Sequence, residues 1–250
     1  MSDHQLIYGL HAVEAVLERY PDRILELFVL EGRTDARINR ITQSASQMGL
    51  AMHVRNRAQL DKLCTEPHHQ GVVARVRPVE AGGEHELHDH VQSLTVPPLL
   101  LVLDGVTDPH NLGACLRSAD AAGVHAVIAP RDRAAGLSAV VRKVSVGAAE
   151  WVPFFQVTNL ARTLEFLRDQ GVLCVGLSRE DRAKSLYSMS LKEPLALVLG
   201  SEGQGLRRLT KERCDSLAFL PMQGQVESLN VSVAAGIALY EAVRQRGANQ

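Results

Sequence analysis

The sequence predicts an α/β protein whose larger, C-terminal part is an open parallel sheet with helices on its faces. Two observations predict this class. From residue 97 to the C-terminus, short apolar runs of strand length alternate with longer segments of helical spacing. Two of the runs, LLLVLD (Leu99–Asp104) and LALVLG (Leu195–Gly200), are almost continuously apolar, which is typical of strands buried on both faces.

Composition is that of an ordinary folded protein. Of the 250 residues, 46% are hydrophobic and 22% are charged, which is enough for one large domain or two small ones. The longest apolar run, residues 94–103, contains two prolines and falls short of the roughly 18 residues of a membrane span. The start, MSDHQLIYGL, lacks the pattern of a secretory signal. We therefore expect a cytoplasmic protein without a membrane partner.

Charge divides the chain into three parts. Residues 1–78 carry 10 basic and 9 acidic residues, residues 79–96 carry 4 acidic and no basic residues, and residues 97–250 carry 17 basic and 15 acidic residues. The middle part also contains Gly82 and Gly83, and we predict an acidic, flexible linker there with at most a short helical turn. A metal site on the three histidines of this part is the less favoured interpretation.

The N-terminal part, residues 1–78, is predicted to be a small α/β unit with a mixed sheet. Helical spacing occurs in GLHAVEAVLERY and in DARINRITQSASQMG, where Asp35 is a suitable N-cap and Gly49 ends the helix. The runs LELFVL, LAMHVR and GVVARVRP have the length or the alternation of strands.

The C-terminal part, residues 97–250, contains five predicted strands: LLLVLD, HAVIAP, GVLCVGL, LALVLG and LAFLP. A helix is predicted in NLGACLRSADAAG, with Asn111 as its cap, and others near residues 139–146, 160–170 and 230–245. The four cysteines are scattered and form no C-x-x-C pair, so they indicate small buried side chains and neither a zinc site nor a disulfide framework.

Three polar or glycine-rich segments follow predicted strands, at residues 104–119, 200–206 and 220–234. Ligands of open α/β sheets bind beyond the carboxyl ends of the strands, so these segments predict a ligand site. Ordinary helix capping would explain each segment alone. The string GSEGQG has neither the glycine spacing of a dinucleotide fingerprint nor the G-K-[ST] of a phosphate-binding loop.

The same segments carry a resemblance to a known family. DGVTDPHNLGACLRSADAAG, LALVLGSEGQGL and LPMQGQVESLNVSVAAGIALYEAV closely resemble, in order and spacing, the SpoU (TrmH-type) branch of the SPOUT RNA 2′-O-ribose methyltransferases. In the N-terminal part, YGLHAVEAVL and HQGVVARV resemble the substrate-binding domain appended to such enzymes, which is similar in fold to ribosomal protein L30e. The resemblance covers nearly the whole chain.

The resemblance implies an enzyme that uses S-adenosylmethionine, without a metal, to methylate the ribose 2′-hydroxyl of a guanosine in large-subunit (23S) ribosomal RNA. It also implies a deep trefoil knot in the C-terminal part, a homodimer, and ribosomal RNA or the assembling large subunit as partner. The cofactor-binding positions that it implies, largely through backbone groups, are Gly200, Leu220 and Leu229. The catalytic positions that it implies are Asn111, Arg117, Glu202, Ser228 and Asn230.

Roles for these side chains follow from their chemistry. The family's proposals make Arg117 a proton acceptor, but a guanidinium is essentially always protonated, and stabilisation of a negatively charged oxygen suits it better. We expect Glu202 to hold a guanidinium and the two asparagines to orient ribose or hold Arg117. Ser228 is expected to contribute a loop contact.

Three other functions stay open at this point. The same reaction on transfer RNA is the first, and a catalytically silent RNA-binding module is the second. The third, a nucleotide-dependent oxidoreductase, is disfavoured by the glycine order. The sequence leaves open which nucleotide is modified, and whether naked RNA or a ribosomal particle is the substrate.

Overall fold

The computed structural model describes residues 4–64 and 69–247, and the chain divides into two units, Met1–Val79 and Glu80–Gln250. The first unit has a four-stranded sheet in the order β1-β4-β2-β3, in which only β2 and β3 are parallel. This confirms the predicted mixed sheet. Its elements are β1 (Gln5–Tyr8), α1 (Leu10–Arg19), β2 (Ile24–Leu30), α2 (Ala36–Gln47), β3 (Ala51–Arg55), α3 (Arg57–Leu63) and β4 (Val72–Val76).

Local capping explains two helices of this unit. Asp35 accepts hydrogen bonds from the backbone N–H groups of Arg37 and Ile38, as predicted for the start of α2. The sequence analysis did not predict β1 or α3. Helix α3 nevertheless carries a local signal, because Asn56 and Gln59 form a reciprocal capping box at its start.

The string HQG, part of the family resemblance, builds a turn that supports α1. Gln70 and Gly71 both have positive φ, and the Gln70 side chain accepts a hydrogen bond from Leu10 N at 3.1 Å. The buried His69 accepts a hydrogen bond at Nδ1 from Gly71 N, which directs its Nε2–H to Asp61 at 2.9 Å. These three residues therefore have structural roles.

The second unit contains a seven-stranded sheet in the order β7-β6-β5-β10-β8-β11-β9, with every pairing parallel. This confirms the predicted parallel sheet. The trefoil knot stays a prediction. The elements are α4 (Glu84–Ser93), β5 (Leu99–Asp104), α5 (Pro109–Ala121), β6 (Ala126–Pro130), α6 (Ala139–Val144), β7 (Phe154–Val157), α7 (Leu160–Asp169), β8 (Leu173–Leu177), β9 (Lys184–Ser185), β10 (Leu195–Gly200), α8 (Arg208–Arg213), β11 (Ser216–Phe219) and α9 (Val231–Gly247).

Helices cover both faces of this sheet, which explains the continuous apolar strands. In β5, Leu101 and Leu103 belong to a core that includes buried side chains of α5 and α9. The alternate residues Leu100 and Val102 belong to the core on the other face, with side chains of α4 and α7. Every side chain of the strand up to Leu103 is therefore buried, as the absence of alternation predicted.

The prediction of a flexible linker at residues 79–96 is wrong. Most of this segment forms α4, whose Leu87 and Val91 are buried against the sheet. Gly82 exchanges two backbone hydrogen bonds with β7, and a Cβ at this position would lie 2.6 Å from the ring of Phe155. The glycines therefore allow close packing where their composition had indicated flexibility.

The histidines of α4 have structural contacts. His88 stacks on Phe166 with the ring centroids 3.7 Å apart, and His90 Nε2 donates to the carbonyl oxygen of His125 at 2.8 Å. Within the described ranges, no group of three or more potential ligands is arranged to hold a metal ion. Over the same ranges, no helix has the length and apolar character needed to cross a membrane.

All four cysteines are free thiols, and three of them are buried. Burial raises the pKa of Cys115 to about 12 and that of Cys214 to about 12. Burial also raises the pKa of Cys64 and of Cys174. These thiols stay protonated near neutral pH, as expected for small core side chains.

Leu87→Ala should destabilise the second unit by about 2–5 kcal/mol, because it removes a fully buried side chain from the core under α4. Urea denaturation of the full chain measures this change. His85→Ala, on the exposed side of the same helix, is the matched control and should stay within about 0.5 kcal/mol of the parent. Equal, small effects of the two substitutions would contradict the packed helix.

Candidate active site

The strand order reverses between β5 and β10. From β5 the chain continues through β6 to β7 on one side, whereas β10, β8 and β11 lie on the other side. Ligands of open α/β sheets bind at such a reversal, beyond the carboxyl ends of the strands. Asp104 and Gly200 end the two strands and are partners in the parallel register. The site therefore begins at this pair of residues.

A cavity of about 790 Å³ lies at this edge of the sheet. Its walls come from residues within four segments, 177–180, 199–205, 218–222 and 227–234, and from Lys211 of α8. All three predicted cofactor positions, Gly200, Leu220 and Leu229, line it, and so do Glu202 and Ser228.

The loop after β10 closes on itself. Ser201 and Gly205 form an isolated bridge in which Gly205 N donates to Ser201 O at 2.9 Å. A Cβ on Gly200 would lie 2.0 Å from the carbonyl carbon of Gly205, so no larger residue fits there. Gly203 and Gly205 have positive φ, which favours glycine. Glu202 thus lies at the tip of a tight loop beside the cavity.

The Glu202 carboxylate binds two other predicted residues, Asn111 and Asn230. Its Oε1 accepts hydrogen bonds from Asn111 Nδ2 at 3.1 Å, from Asn230 Nδ2 at 2.6 Å and from Val231 N at 3.3 Å. Asn230 Nδ2 also donates to Asn111 Oδ1 at 2.8 Å. We call Asn111, Glu202 and Asn230 the amide–carboxylate cluster.

Asn111 reaches the cluster because another residue caps its helix. The side chain of Asp108 accepts a hydrogen bond from His110 N, and Pro109 occupies the first turn of α5. The prediction of Asn111 as the cap is therefore wrong. Asn111 is the third residue of α5 and is only 9% exposed, and its side chain is available for Glu202.

Asn230 caps α9 and also belongs to the amide–carboxylate cluster. Its capping role agrees with its predicted position at a helix start. Its Oδ1 accepts hydrogen bonds from Ser232 N at 2.9 Å and from Val233 N at 3.4 Å. Its Nδ2 remains available for Glu202 and Asn111. The start of α9 is thereby held against the loop after β10.

Arg117 lies apart from the cluster. It is exposed, and among the described residues its guanidinium has no hydrogen-bond or ion-pair partner. It follows Asn111 by six residues, which puts it about 9 Å further along α5 and on another face of the helix. The expected pairing of Glu202 with a guanidinium is wrong here, because the two asparagines hold that carboxylate.

The sequence patterns did not identify one wall of the cavity, which is formed by the residues after β8. Arg179, which follows β8, donates from Nη1 to Glu227 O at 2.6 Å and so joins two segments of the wall. Beside it, Lys211 contacts Glu180 at 2.6 Å and lowers the pKa of that carboxyl. The signal was present in the sequence, because residues 178–180 follow a predicted strand in the same way as the three segments that were singled out.

Comparison with known protein families finds two matches. Residues 98–240 match the SpoU rRNA methylase family, and residues 6–81 match the family described as RNA 2′-O ribose methyltransferase substrate binding. Together they cover both units.

Individual proteins are similar over nearly the whole chain. The 23S rRNA (guanosine-2′-O-)-methyltransferase RlmB of Shewanella oneidensis is 53% identical over 246 residues, which are 98% of this chain and 99% of that protein. A crystal structure of an RNA 2′-O ribose methyltransferase superimposes with a TM-score of 0.71 at 30% identity, covering 98% of this chain and 89% of the other. The SpoU methyltransferase AviRb of Streptomyces viridochromogenes, solved with AdoMet, shares the fold with a TM-score of 0.76 at 23% identity, covering 98% and 92% of the two chains.

Gly200→Ala should weaken the binding of S-adenosylhomocysteine by about tenfold or more, because the new Cβ forces the backbone at Gly205 out of the cavity wall. Calorimetric titration measures the affinity. Gly224→Ala is the control, since a Cβ there meets nothing within 4 Å and the φ of Gly224 is not positive. Unchanged affinity in Gly200→Ala would show that this loop does not form the ligand site.

Proposed function

Since this chain belongs to the SpoU rRNA methylase family, we propose that it methylates the ribose 2′-hydroxyl of a guanosine in 23S ribosomal RNA, with S-adenosylmethionine as the methyl donor. The observation that carries the proposal is the position of the amide–carboxylate cluster, which shares two segments with the wall of the cavity. Identity of 53% over nearly the full length of an enzyme with this activity supports the substrate.

The cavity fits S-adenosylmethionine in size and chemistry. Its volume lies within the roughly 300–1,000 Å³ common for small-molecule sites. Leu199, Leu220 and Leu229 provide apolar walls for an adenine ring, and the close backbone at Gly200 offers peptide groups for its polar edge. When bound, the donor supplies a methyl group that is already activated by a sulfonium charge.

The amide–carboxylate cluster suits the acceptor ribose. Oε1 of Glu202 is occupied by three donors, whereas Oε2 has no hydrogen-bond partner among the described residues. We assign to Oε2 the role of accepting the hydrogen bond of a ribose hydroxyl and so orienting its oxygen toward the cavity. Such orientation places the reacting atoms in line before the reaction, which can lower a barrier substantially. The Ser228 hydroxyl lines the same cavity and contributes a second polar contact.

Arg117 provides charge. Its exposed guanidinium, which has no protein partner among the described residues, is suited to bind an RNA phosphate and to stabilise negative charge that develops on the ribose oxygen. Because guanidinium groups are poor proton acceptors, we assign Arg117 electrostatic stabilisation in preference to proton abstraction.

The first unit provides RNA contacts in this proposal, in line with its match to a substrate-binding family. Arg57 and Arg77 are exposed, and the described residues offer neither side chain a hydrogen-bond or ion-pair partner. Guanidinium groups of this kind bind backbone phosphates regardless of sequence.

We also propose a homodimer that acts in the cytoplasm. Large apolar side chains are exposed in α6 and in α9, at Val140, Val233 and Tyr240. Exposed apolar side chains of this size are available to pack against a second copy of the chain. Light scattering of the purified chain measures its mass in solution.

Mass spectrometry of digested RNA tests the substrate. The purified chain, S-adenosylmethionine and 23S ribosomal RNA from a strain without the modification should yield a 2′-O-methylguanosine at one position. Transfer RNA from the same strain is the parallel substrate, and methylation of that RNA alone would establish the transfer-RNA alternative. Folded protein that methylates neither RNA would favour a silent RNA-binding module.

Arg117→Ala should reduce methyl transfer by about 100- to 1,000-fold, because it removes the charge that stabilises the reacting oxygen. Binding of S-adenosylhomocysteine should change little, since Arg117 does not line the cavity. Radiolabelled transfer and calorimetry measure the two properties. Arg162→Ala, which removes another exposed arginine on α7, should leave both unchanged. Near-normal turnover in Arg117→Ala would refute its assignment to the active site.

A further inference from the structure

One buried acid at the site has no part in the proposed chemistry. Asp104 is 1% exposed at the carboxyl end of β5. The two other buried acids among the described residues of the second unit, Glu150 and Glu241, form ion pairs with arginines close to them in sequence. Asp104 instead contacts a residue 103 positions away, at the exit of the loop that carries Glu202.

Among the described residues, the polar contacts of the Asp104 side chain are all with one residue, Arg207. Its Oδ2 accepts a hydrogen bond from Arg207 N at 2.8 Å. Its Oδ1 lies 3.5 Å from Arg207 Nη1 and has no hydrogen-bond partner among the described residues. The guanidinium passes over Gly105, where a Cβ would lie 3.0 Å from Nη2. The carboxylate thus engages both the backbone and the side chain of one residue.

We propose that Asp104 is a positioning residue that fixes Glu202 by anchoring the exit of its loop. The entrance of the loop is fixed at Gly200, which is the register partner of Asp104. The exit is fixed at Arg207 by the carboxylate of Asp104. Between them, the bridge from Ser201 to Gly205 closes the loop, so the tip that carries Glu202 is set by contacts with the end of β5.

The same residue also sets the start of α5. Only Gly105, Val106 and Thr107 separate Asp104 from the helix cap Asp108, and Asn111 follows in the first turn of the helix. Asp104 therefore positions two members of the amide–carboxylate cluster. It positions Asn111 through the short stretch of chain between the two residues, and Glu202 through the contact of its carboxylate with Arg207.

A role in stability alone does not account for this arrangement. A buried carboxylate gains stability only when both oxygens are well satisfied, and Oδ1 lacks a hydrogen-bond donor. The hydrogen bond that is present joins the ends of two segments that both lead to the cluster. The position of this hydrogen bond therefore suits a role in aligning the residues of the amide–carboxylate cluster.

Amide exchange at Val231 tests the proposal without any activity measurement. Val231 N donates to Glu202 Oε1 and belongs to a different segment from Asp104. In Asp104→Asn, the loss of the charge-assisted bond to Arg207 should loosen Glu202 and speed exchange of the Val231 amide by about tenfold. NMR of the full chain measures the rate. Unchanged exchange at Val231 would overturn the proposal.

Asp215→Asn is the matched control. Asp215 also accepts a backbone hydrogen bond at 2.8 Å, from Cys174 N, and also pairs with an arginine, Arg168, at 2.7 Å. Asp215 directly precedes β11 and contacts the amino end of β8, at the opposite edge of the sheet from the cavity. Asp215→Asn should leave exchange at Val231 unchanged, and equal effects of the two substitutions would reduce Asp104 to a general stabiliser.

Arg207 offers a second route if Asp104→Asn does not fold. Arg207 has φ −63°, which proline adopts, so Arg207→Pro removes the N–H donor with the backbone angle retained. Arg207→Ala removes only the guanidinium. Faster exchange at Val231 in Arg207→Pro than in Arg207→Ala supports the backbone anchor, and equal rates contradict it.

A double-mutant cycle connects the anchor to catalysis, and this step depends on the proposed function. If Asp104 acts through Glu202, Asp104→Asn should lower kcat by about tenfold in the parent and have no further effect in Glu202→Gln. Additive effects would overturn the proposal. An inactive parent protein would instead contradict the proposed methyltransferase function, and exchange at Val231 would still decide the role of Asp104.

Discussion

A single oxygen atom, Oε1 of Glu202, connects the three segments from which the site is built. Its donors come from the first turn of α5, from the cap of α9 and from the first N–H of that helix. These groups lie 91, 28 and 29 residues from Glu202 in the chain. Hydrogen bonds to a carboxylate are about twice as strong as neutral ones, so this atom is an effective junction between distant segments.

Sequence patterns predicted the frame of this site but not its contacts. Apolar runs without alternation indicated buried parallel strands, and the rule that ligands bind beyond their carboxyl ends selected the three segments that carry Asn111, Glu202 and Asn230. The family resemblance then implied these individual residues. The partner of Glu202 could not be predicted, because a carboxylate suits a guanidinium and an amide equally well. Only the strand order, with β10 beside β5, brings Asn111 to Glu202.

Two predictions were wrong although the sequence contained the signals for the correct structure. The segment at residues 79–96 was interpreted from its charge and its glycines, although Leu87 and Val91 have the spacing of one helix face and both are buried. Likewise, Asp108 followed by Pro109 is a stronger start signal than Asn111. Composition averages over a segment, whereas packing depends on where each apolar side chain falls.

The amide–carboxylate cluster shares two of its three segments with the cavity. Residues 199–205 and 227–234 line the cavity, and they also carry Glu202 and Asn230. Helix α5 contributes Asn111 to the cluster but does not line the cavity. In the proposed function, a methyl donor that fills the cavity orders loops that the acceptor also contacts. By thermodynamic reciprocity, the acceptor then changes the affinity of the cavity for the donor to the same degree.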